Sequence, residues 1–488
     1  MGQGKTFSYI WYACILFCYA NKKGYMLSQL LFLLVLLAGA GLFAWQVRRI
    51  RSNIFLGRPE NRNDRPVERL RQMALVAFGQ QKMFKRITPA VMHLIIYVSF
   101  IVINIEVLEI IVDGLSGQHR FFGQYTDPVY SGIMFLNEWL AVLVIVSCIA
   151  LLWRRNIMKV SRFRGPEMAE SKGLITRKNY SHLDANVILW TEIVLMLALL
   201  AFNVADIQLH ALGEGSLAAL PGVYPISQWL ADMQIFGSNP ETLHLIERAG
   251  WWGHIVGILA FLNYLPISKH FHVIVSFPNV YYSSLEPQGK LESSKHINEE
   301  VKAAFDFNYQ PEEDPNAPKR FGARDVTDLT WVNLMNSYAC TECGRCTDVC
   351  PANTTGKKLS PRKIVMDTRD RLEEIQKYKL KPNEEGVIVP SDENIDGAKE
   401  AAEHFLLSDH YISEEELNAC NTCNACVEAC PVNINQLDII MQLRRYLILE
   451  ESKMPEGWAG MTNNIENNGA PWAMAAADRF KWAEEMEG

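Results

Sequence analysis

CTECGRCTDVCP, residues 340–351, carries four cysteines in twelve residues, and CNTCNACVEACP, residues 420–431, repeats the spacing. Each run reads C-x2-C-x2-C-x3-C-P. Disulfides fit poorly: bridges between thiols two residues apart are strained, and a 488-residue chain is no small secreted scaffold. Zinc usually draws two ligands from each of two knuckles, so four evenly close cysteines suit it badly. The spacing is that of cubane iron–sulfur centres, in which three close cysteines hold one cluster and the fourth, before proline, reaches the other. Cys340, Cys343, Cys346 and Cys430 are thus assigned to one [4Fe–4S] cluster. Cys420, Cys423, Cys426 and Cys350 are assigned to a second.

The rest of the chain divides sharply. Five apolar stretches before residue 280, roughly 26–45, 89–112, 134–153, 185–207 and 251–275, have the length of about 20 residues that a bilayer crossing takes. Buried core helices are the alternative, and the loop charges decide against it. Residues 46–88 hold eleven Lys and Arg and residues 154–184 hold eight, whereas 113–133 and 208–250 hold one each, Arg120 and Arg248. That alternation places the basic loops in the cytoplasm and the N-terminus outside. An odd number of spans leaves the cysteine-rich half in the reducing cytoplasm. A net charge of -7 and the lack of a basic, aromatic-interleaved patch argue against nucleic acid as a partner.

The expected fold is all-α: a five-helix transmembrane bundle followed by a cytoplasmic helical ferredoxin domain with two [4Fe–4S] clusters. Residues 1–25 are an N-terminal segment whose status is open between a signal-like stretch, an interfacial helix and an upstream extension. Residues 26–280 are the membrane domain, 281–330 a tether with PEEDPNAP as its elbow, 331–450 the ferredoxin domain and 451–488 a tail with three tryptophans. Ser413 to Cys420 reads as a capped helix start, and 381–397 as a loop between helices. Cys14, Cys18 and Cys148 read as small buried hydrophobes.

Ionisable groups inside spans are functional candidates. His93 and His272 fall near the same, cytoplasmic depth of antiparallel spans two and five, as two axial ligands of one haem b require; helix–helix hydrogen bonding is the alternative. His254 lies eighteen residues before His272, five helical turns, and so faces the same way. It is the candidate for a second haem, but residues 100–110 offer no partner histidine. His270 points about 200° away from His272. Glu192 and Glu106 are candidates to carry protons for a quinone.

The histidine pattern resembles the membrane cytochrome b (gamma) subunit of respiratory nitrate reductases. The stretches GRPENRNDRPVERLRQ and PISKHFHVIVSFPN are similar to a branch fused to iron–sulfur domains, including heterodisulfide reductase membrane subunits and electron-transfer-flavoprotein:menaquinone oxidoreductases. CTECGRCTDVCPANTTGKKLSPRKIV resembles the helical ferredoxin module of heterodisulfide reductases and of glycerol-3-phosphate or glycolate oxidase iron–sulfur subunits. The likeness covers about residues 26–450. It implies a subunit of the prokaryotic inner membrane that moves electrons between a cytoplasmic redox partner and menaquinone. That partner would be a cysteine-rich subunit, an electron-transfer flavoprotein or a dehydrogenase. The relatives' Cys-Cys motifs are absent, so a substrate-reducing domain is expected on a separate chain. Arg58, Arg62, Arg65 and Lys269 read as contacts for lipid headgroups, haem propionates or the partner. The rival reading is a membrane-tethered iron–sulfur redox sensor or scaffold without turnover.

Overall fold

The computed structural model describes residues 25–126, 128–163, 165, 180–215, 217, 220–287, 289–291, 294–311, 320–383, 386–392 and 394–487. Cys14 and Cys18, residues 166–179 of the second basic loop and nearly all of PEEDPNAP lie outside them. The chain divides into two compact units. The first takes in the described residues up to Ser52, Val67–Tyr281 and Tyr338–Cys343; the second takes in Asn53–Pro66, Tyr282–Ser337 and the described residues from Gly344 on. Part of the first basic loop therefore groups with the second unit, and the first half of one cysteine run with the first.

Among the described residues of the first unit, four helices are long and apolar enough to cross a membrane: α1 (Tyr25–Ile54), α2 (Ile87–Ser116), α3 (Val129–Asn156) and α4 (Tyr180–Ala211). Their facing sides pack Phe32, Ile110, Val144 and Leu199 into one core, joined by Ile255 from the helix that follows. Leu34, Ile101, Ile149 and Leu197 are exposed. So broad an apolar exterior is costly in water and marks a lipid-facing surface, where helices satisfy their own backbone groups. α5 (Pro240–Tyr264) lies tightly on α4. A Cβ at Gly250 would stand 3.0 Å from the Ala198 carbonyl oxygen and from the Phe202 backbone nitrogen, the close approach that small residues permit between membrane helices.

Polar groups cluster at one end of this unit. The guanidinium of Arg120, 2% exposed, donates to Asn203 Oδ1 (2.7 Å) and Asp206 Oδ2 (3.3 Å) and lies 3.6 Å from Glu106. Glu138 accepts from Asn203 (2.9 Å) and from the Ser227 hydroxyl (2.8 Å). Glu109 accepts from Tyr130 (2.8 Å) and the Phe122 N–H (2.9 Å). Burying so many charges is tolerable only where each is paired; here they fasten the loops to the helix ends.

The fifth span departs from expectation. α5 runs into a 3-10 turn at Leu265–Ile267, then Ser268 is extended, a second turn covers Lys269–Phe271, and α6 (His272–Tyr282) leaves at 94°. Pro266 removes a backbone donor, and Ser268 caps the restart by accepting from the His270 N–H at 2.9 Å. Asp184 on α4 holds the break open, accepting from the Lys269 N–H (3.0 Å) and the Tyr264 hydroxyl (2.6 Å). The five-turn register linking His254 to His272 is broken there, and their shared face does not follow. His270 sits in the turn before α6, so the 200° offset does not apply either; its ring centre is 5.6 Å from that of His272.

In the second unit, the expected tether contains α7 (Lys295–Phe305), with Ser294 as its cap. Gly57 lets the chain pass hard against Trp331: a Cβ there would meet the Trp331 nitrogen at 2.7 Å, and Arg58 N–H donates to Leu329 O at 2.8 Å. Further on come α8 (Trp331–Ala339), α9 (Arg345–Asp348) and α10 (Pro361–Lys377), the last started by Ser360 and Pro361. The segment read as a loop forms an antiparallel pair, β1 (Leu380–Pro382) with β2 (Ile388–Pro390), in which the β-branched Ile388 and Val389 favour the extended backbone. α11 (Glu414–Asn418) begins with the expected capping box, Ser413 with Glu416. α12 (Ala425–Ala429) and α13 (Gln436–Leu449) complete the module, and α14 (Glu456–Asn468) opens the tail.

Candidate iron–sulfur and haem sites

The two cysteine runs take the same backbone path. Glu342 and Thr422 both stand at φ 54°, and Gly344 and Asn424 at φ 72° and 61°. The left-handed residues turn each run back on itself. The Glu342 N–H then points at Cys340 Sγ and the Thr422 N–H at Cys420 Sγ, each at 3.4 Å. α9 and α12 follow, each carrying the third cysteine of its run. Ile434 N–H is 3.3 Å from Cys430 Sγ. Such N–H groups favour thiolate over thiol and tune a cluster's potential.

Cys350 lines the same cavity as Cys420, Cys423 and Cys426 in the second unit. The first run thus lends its last cysteine to the first three of the second run. Leu359, Leu437 and Ile440 add apolar surface to the wall, and Asn421 and Asn424 add polar surface. Burial pushes the Cys426 thiol up to about 12, with Cys420 and Cys350 adding to the shift, and burial likewise raises Cys420. Four thiolates this close need a cationic centre among them, which an iron cluster supplies. Arg444, buried beneath, donates to Cys420 O at 2.6 Å and Leu417 O at 2.9 Å. Of the complementary set, Cys346 and Cys430 are buried in the second unit; Cys340 is buried and Cys343 partly exposed in the first.

Within the first unit, the rings of His93 and His272 have centres 6.3 Å apart. A ligating imidazole nitrogen lies about 2 Å from its metal. With ring centres roughly 1 Å further out, two rings on opposite sides of one iron stand about 6 Å apart. His272 Nδ1 is 3.0 Å from the Lys269 carbonyl oxygen, the hydrogen bond that leaves Nε2 as ligand. These residues fit a bis-histidine haem. His254 is buried on α5 with Nδ1 2.9 Å from Leu195 O, and its Nε2 has no hydrogen-bond partner among the described residues. Glu106 is occupied by Asn137 (3.1 Å) and Arg120; Glu192 is half-buried on α4.

Three of the four basic candidates have carboxylate partners within the protein. Arg62 pairs with Glu60 (2.5 Å), and Arg65 with Asp64 (2.9 Å) and Glu286 (2.8 Å). Lys269 pairs with Glu342 at 2.8 Å, both nearly inaccessible, and Ser181 also donates to Glu342. Glu342, between Cys340 and Cys343, is invisible to motif reading because nothing in CTEC marks its partner.

A family model described as a 4Fe-4S dicluster domain matches residues 339–435. The chain is 30% identical over 480 residues to the probable iron-sulfur-binding oxidoreductase FadF of Bacillus subtilis, covering 95% of this chain and 62% of that protein. It is 24% identical over 436 residues to the EtfAB:quinone oxidoreductase of Syntrophomonas wolfei, covering 87% and 55%. It is 28% identical over 171 residues to one component of the dihydromethanophenazine:CoB–CoM heterodisulfide reductase of Methanosarcina acetivorans, covering 34% and 37%. The chain therefore spans little more than half the length of the first two. No solved structure matches.

Proposed function

We propose that this chain is a membrane electron-transfer subunit that passes electrons between a soluble redox partner and the quinone pool. Its relatives include one named as a probable iron-sulfur-binding oxidoreductase, one named for a quinone and one for a heterodisulfide. The observation that carries the reading is Cys350 lining one cavity with Cys420, Cys423 and Cys426. It supports the crossed ligand sets: Cys340, Cys343, Cys346 and Cys430 for one [4Fe–4S] cluster, Cys350, Cys420, Cys423 and Cys426 for the other. Bound there, the clusters supply one-electron carriers, and haem b at His93 and His272 supplies another. The Lys269 carbonyl orients His272 for that role, and Leu359, Leu437 and Ile440 cover part of the second cysteine set, whose Cys423 is exposed.

The loop charges support an N-terminus outside and the iron–sulfur domain in the cytoplasm of a prokaryotic inner membrane. Menaquinone and an electron-transfer flavoprotein are the partners we favour, from the relative named EtfAB:quinone oxidoreductase. Glu192, partly open to lipid, is the better placed of the two candidate proton carriers; Glu106 is committed to Arg120 and Asn137. The test is anaerobic stopped-flow reoxidation of the reduced, detergent-solubilised chain by a soluble menaquinone analogue. Oxidation of haem and clusters together, slowed at least about tenfold in His272→Ala, is expected. Clusters that reoxidise equally fast in the variant would remove haem from the route.

A further inference from the structure

We propose that Glu374, His404 and His410 form a binding site for one zinc-class divalent cation, separate from the eight clustered cysteines. One atom from each, an imidazole nitrogen or a carboxylate oxygen, lies within 4.8 Å of the other two. Around a metal with bonds of about 2.0–2.2 Å in tetrahedral array, such atoms stand roughly 3.4 Å apart, so small side-chain rotations close the site. Two imidazoles and one carboxylate are the donor set of three-ligand zinc centres, which keep the fourth position for water.

The surrounding fold holds these groups in place. Glu374 lies on α10, and its Oε2 is held by Arg371 (2.6 Å) and the Tyr411 hydroxyl (2.9 Å). That leaves Oε1 aimed at His404 Nδ1, 2.8 Å away. The Arg371 charge is offset by Asp325, which receives its Nη2 at 2.9 Å, so it does not repel a second cation. The loop after His404 doubles back: Ile412 N–H donates to Leu406 O, and Ser408 N–H to Ile412 O, both at 3.1 Å. That return lays the His410 ring on His404, centres 4.1 Å apart and planes 15° from parallel. A simple hydrogen bond to Glu374 needs one histidine. A second imidazole beside the same fixed carboxylate completes a three-ligand set, and because a ring nitrogen's lone pair lies in the ring plane, metal binding turns one ring out of the stack. The site opens to solvent, since His410 is exposed. A proton on either histidine competes with the metal, so affinity falls as pH drops below the ordinary histidine range.

The experiment is equilibrium dialysis of the full-length, cluster-loaded protein against micromolar zinc under anaerobic conditions, with zinc and iron measured per chain. Wild type is expected to retain one zinc with its iron unchanged, and an X-ray absorption edge showing only nitrogen and oxygen neighbours. His410→Gln, a change at an exposed position, and His404→Gln are expected to weaken retention at least about tenfold while keeping their iron. Iron content reports folding in each variant. Zinc that is not retained, that is retained equally by both variants, that enters only as iron leaves, or that shows sulfur neighbours would overturn the proposal.

Discussion

Removing Cys350 tests the crossed ligand sets, because the first run's last cysteine stands with the second run's first three. A chain with two cubanes holds about eight iron atoms. Alanine at Cys350 takes one ligand from the cluster of Cys420, Cys423 and Cys426, whose remaining lining, Leu359, Leu437, Ile440, Asn421 and Asn424 among it, holds no further thiol or imidazole. The expected loss is between about one iron, leaving a three-iron cluster, and about four. The stronger test is a pair of double variants. Cys350→Ala with Cys420→Ala strikes one cluster twice and is expected to leave about four iron atoms. Cys350→Ala with Cys340→Ala strikes both clusters and is expected to damage both. If each run held its own cluster, the two outcomes would exchange. Iron analysis with EPR of the reduced, full-length protein reads the result. The magnetic interaction between clusters should vanish in the first double variant while a single cubane signal stays. Loss of all iron from Cys350/Cys420 alongside retention of about four in Cys350/Cys340 would refute the reasoning.

Three further outcomes follow from the packing. Glu342→Gln takes the nearer carboxylate from the buried Lys269 ammonium, which keeps Asp184 at 4.0 Å and the Ser181 carbonyl at 2.6 Å, a change that costs about 1–3 kcal/mol; the thermal midpoint should fall, whereas an unchanged midpoint would show the pair to be inconsequential. Gly250→Val pushes a side chain into α4 and should cost about 1–3 kcal/mol by overpacking, read as a lower melting temperature in detergent; Gly253→Val, which meets nothing within 4 Å, is the silent control. Burial alone would raise the Glu374 carboxyl, but hydrogen bonds from His404, Arg371 and Tyr411 hold it below the usual range. Its contribution is therefore present above the ordinary carboxylate pKa and lost as pH falls through the lowered folded value. The stability gap between wild type and Glu374→Gln should close on acidification, and a gap that widens there would contradict the assignment.

Much of this was legible in the residues. The four straight spans, the twin cysteine runs and the Ser413–Glu416 cap announce themselves through local pattern, hydropathy or spacing alone. The break in the fifth span did not, although Pro266 and Ser268 are both visible. An apolar run through both reads as continuous, and the Lys269 N–H freed there is satisfied by Asp184, some eighty residues earlier. The strand pair at Leu380–Pro390 was hidden by its polar, turn-rich composition. Lys269–Glu342 and the His404–His410 pair depend on contacts that no spacing rule encodes. The membrane-half histidines fall between: His93 and His272 were brought together as expected, while the register argument for His254 failed with the helix.

The central claim is that electrons travel between clusters and a haem held by His93 and His272. A combined optical and EPR redox titration of the purified, detergent-solubilised chain, beside His93→Ala, tests it most directly. The account predicts a low-spin haem b alpha band in the wild type, absent from the variant, with two interacting [4Fe–4S] signals in both. Two clusters with no haem band in the wild type would contradict it, and the membrane helices would then be an anchor for a ferredoxin.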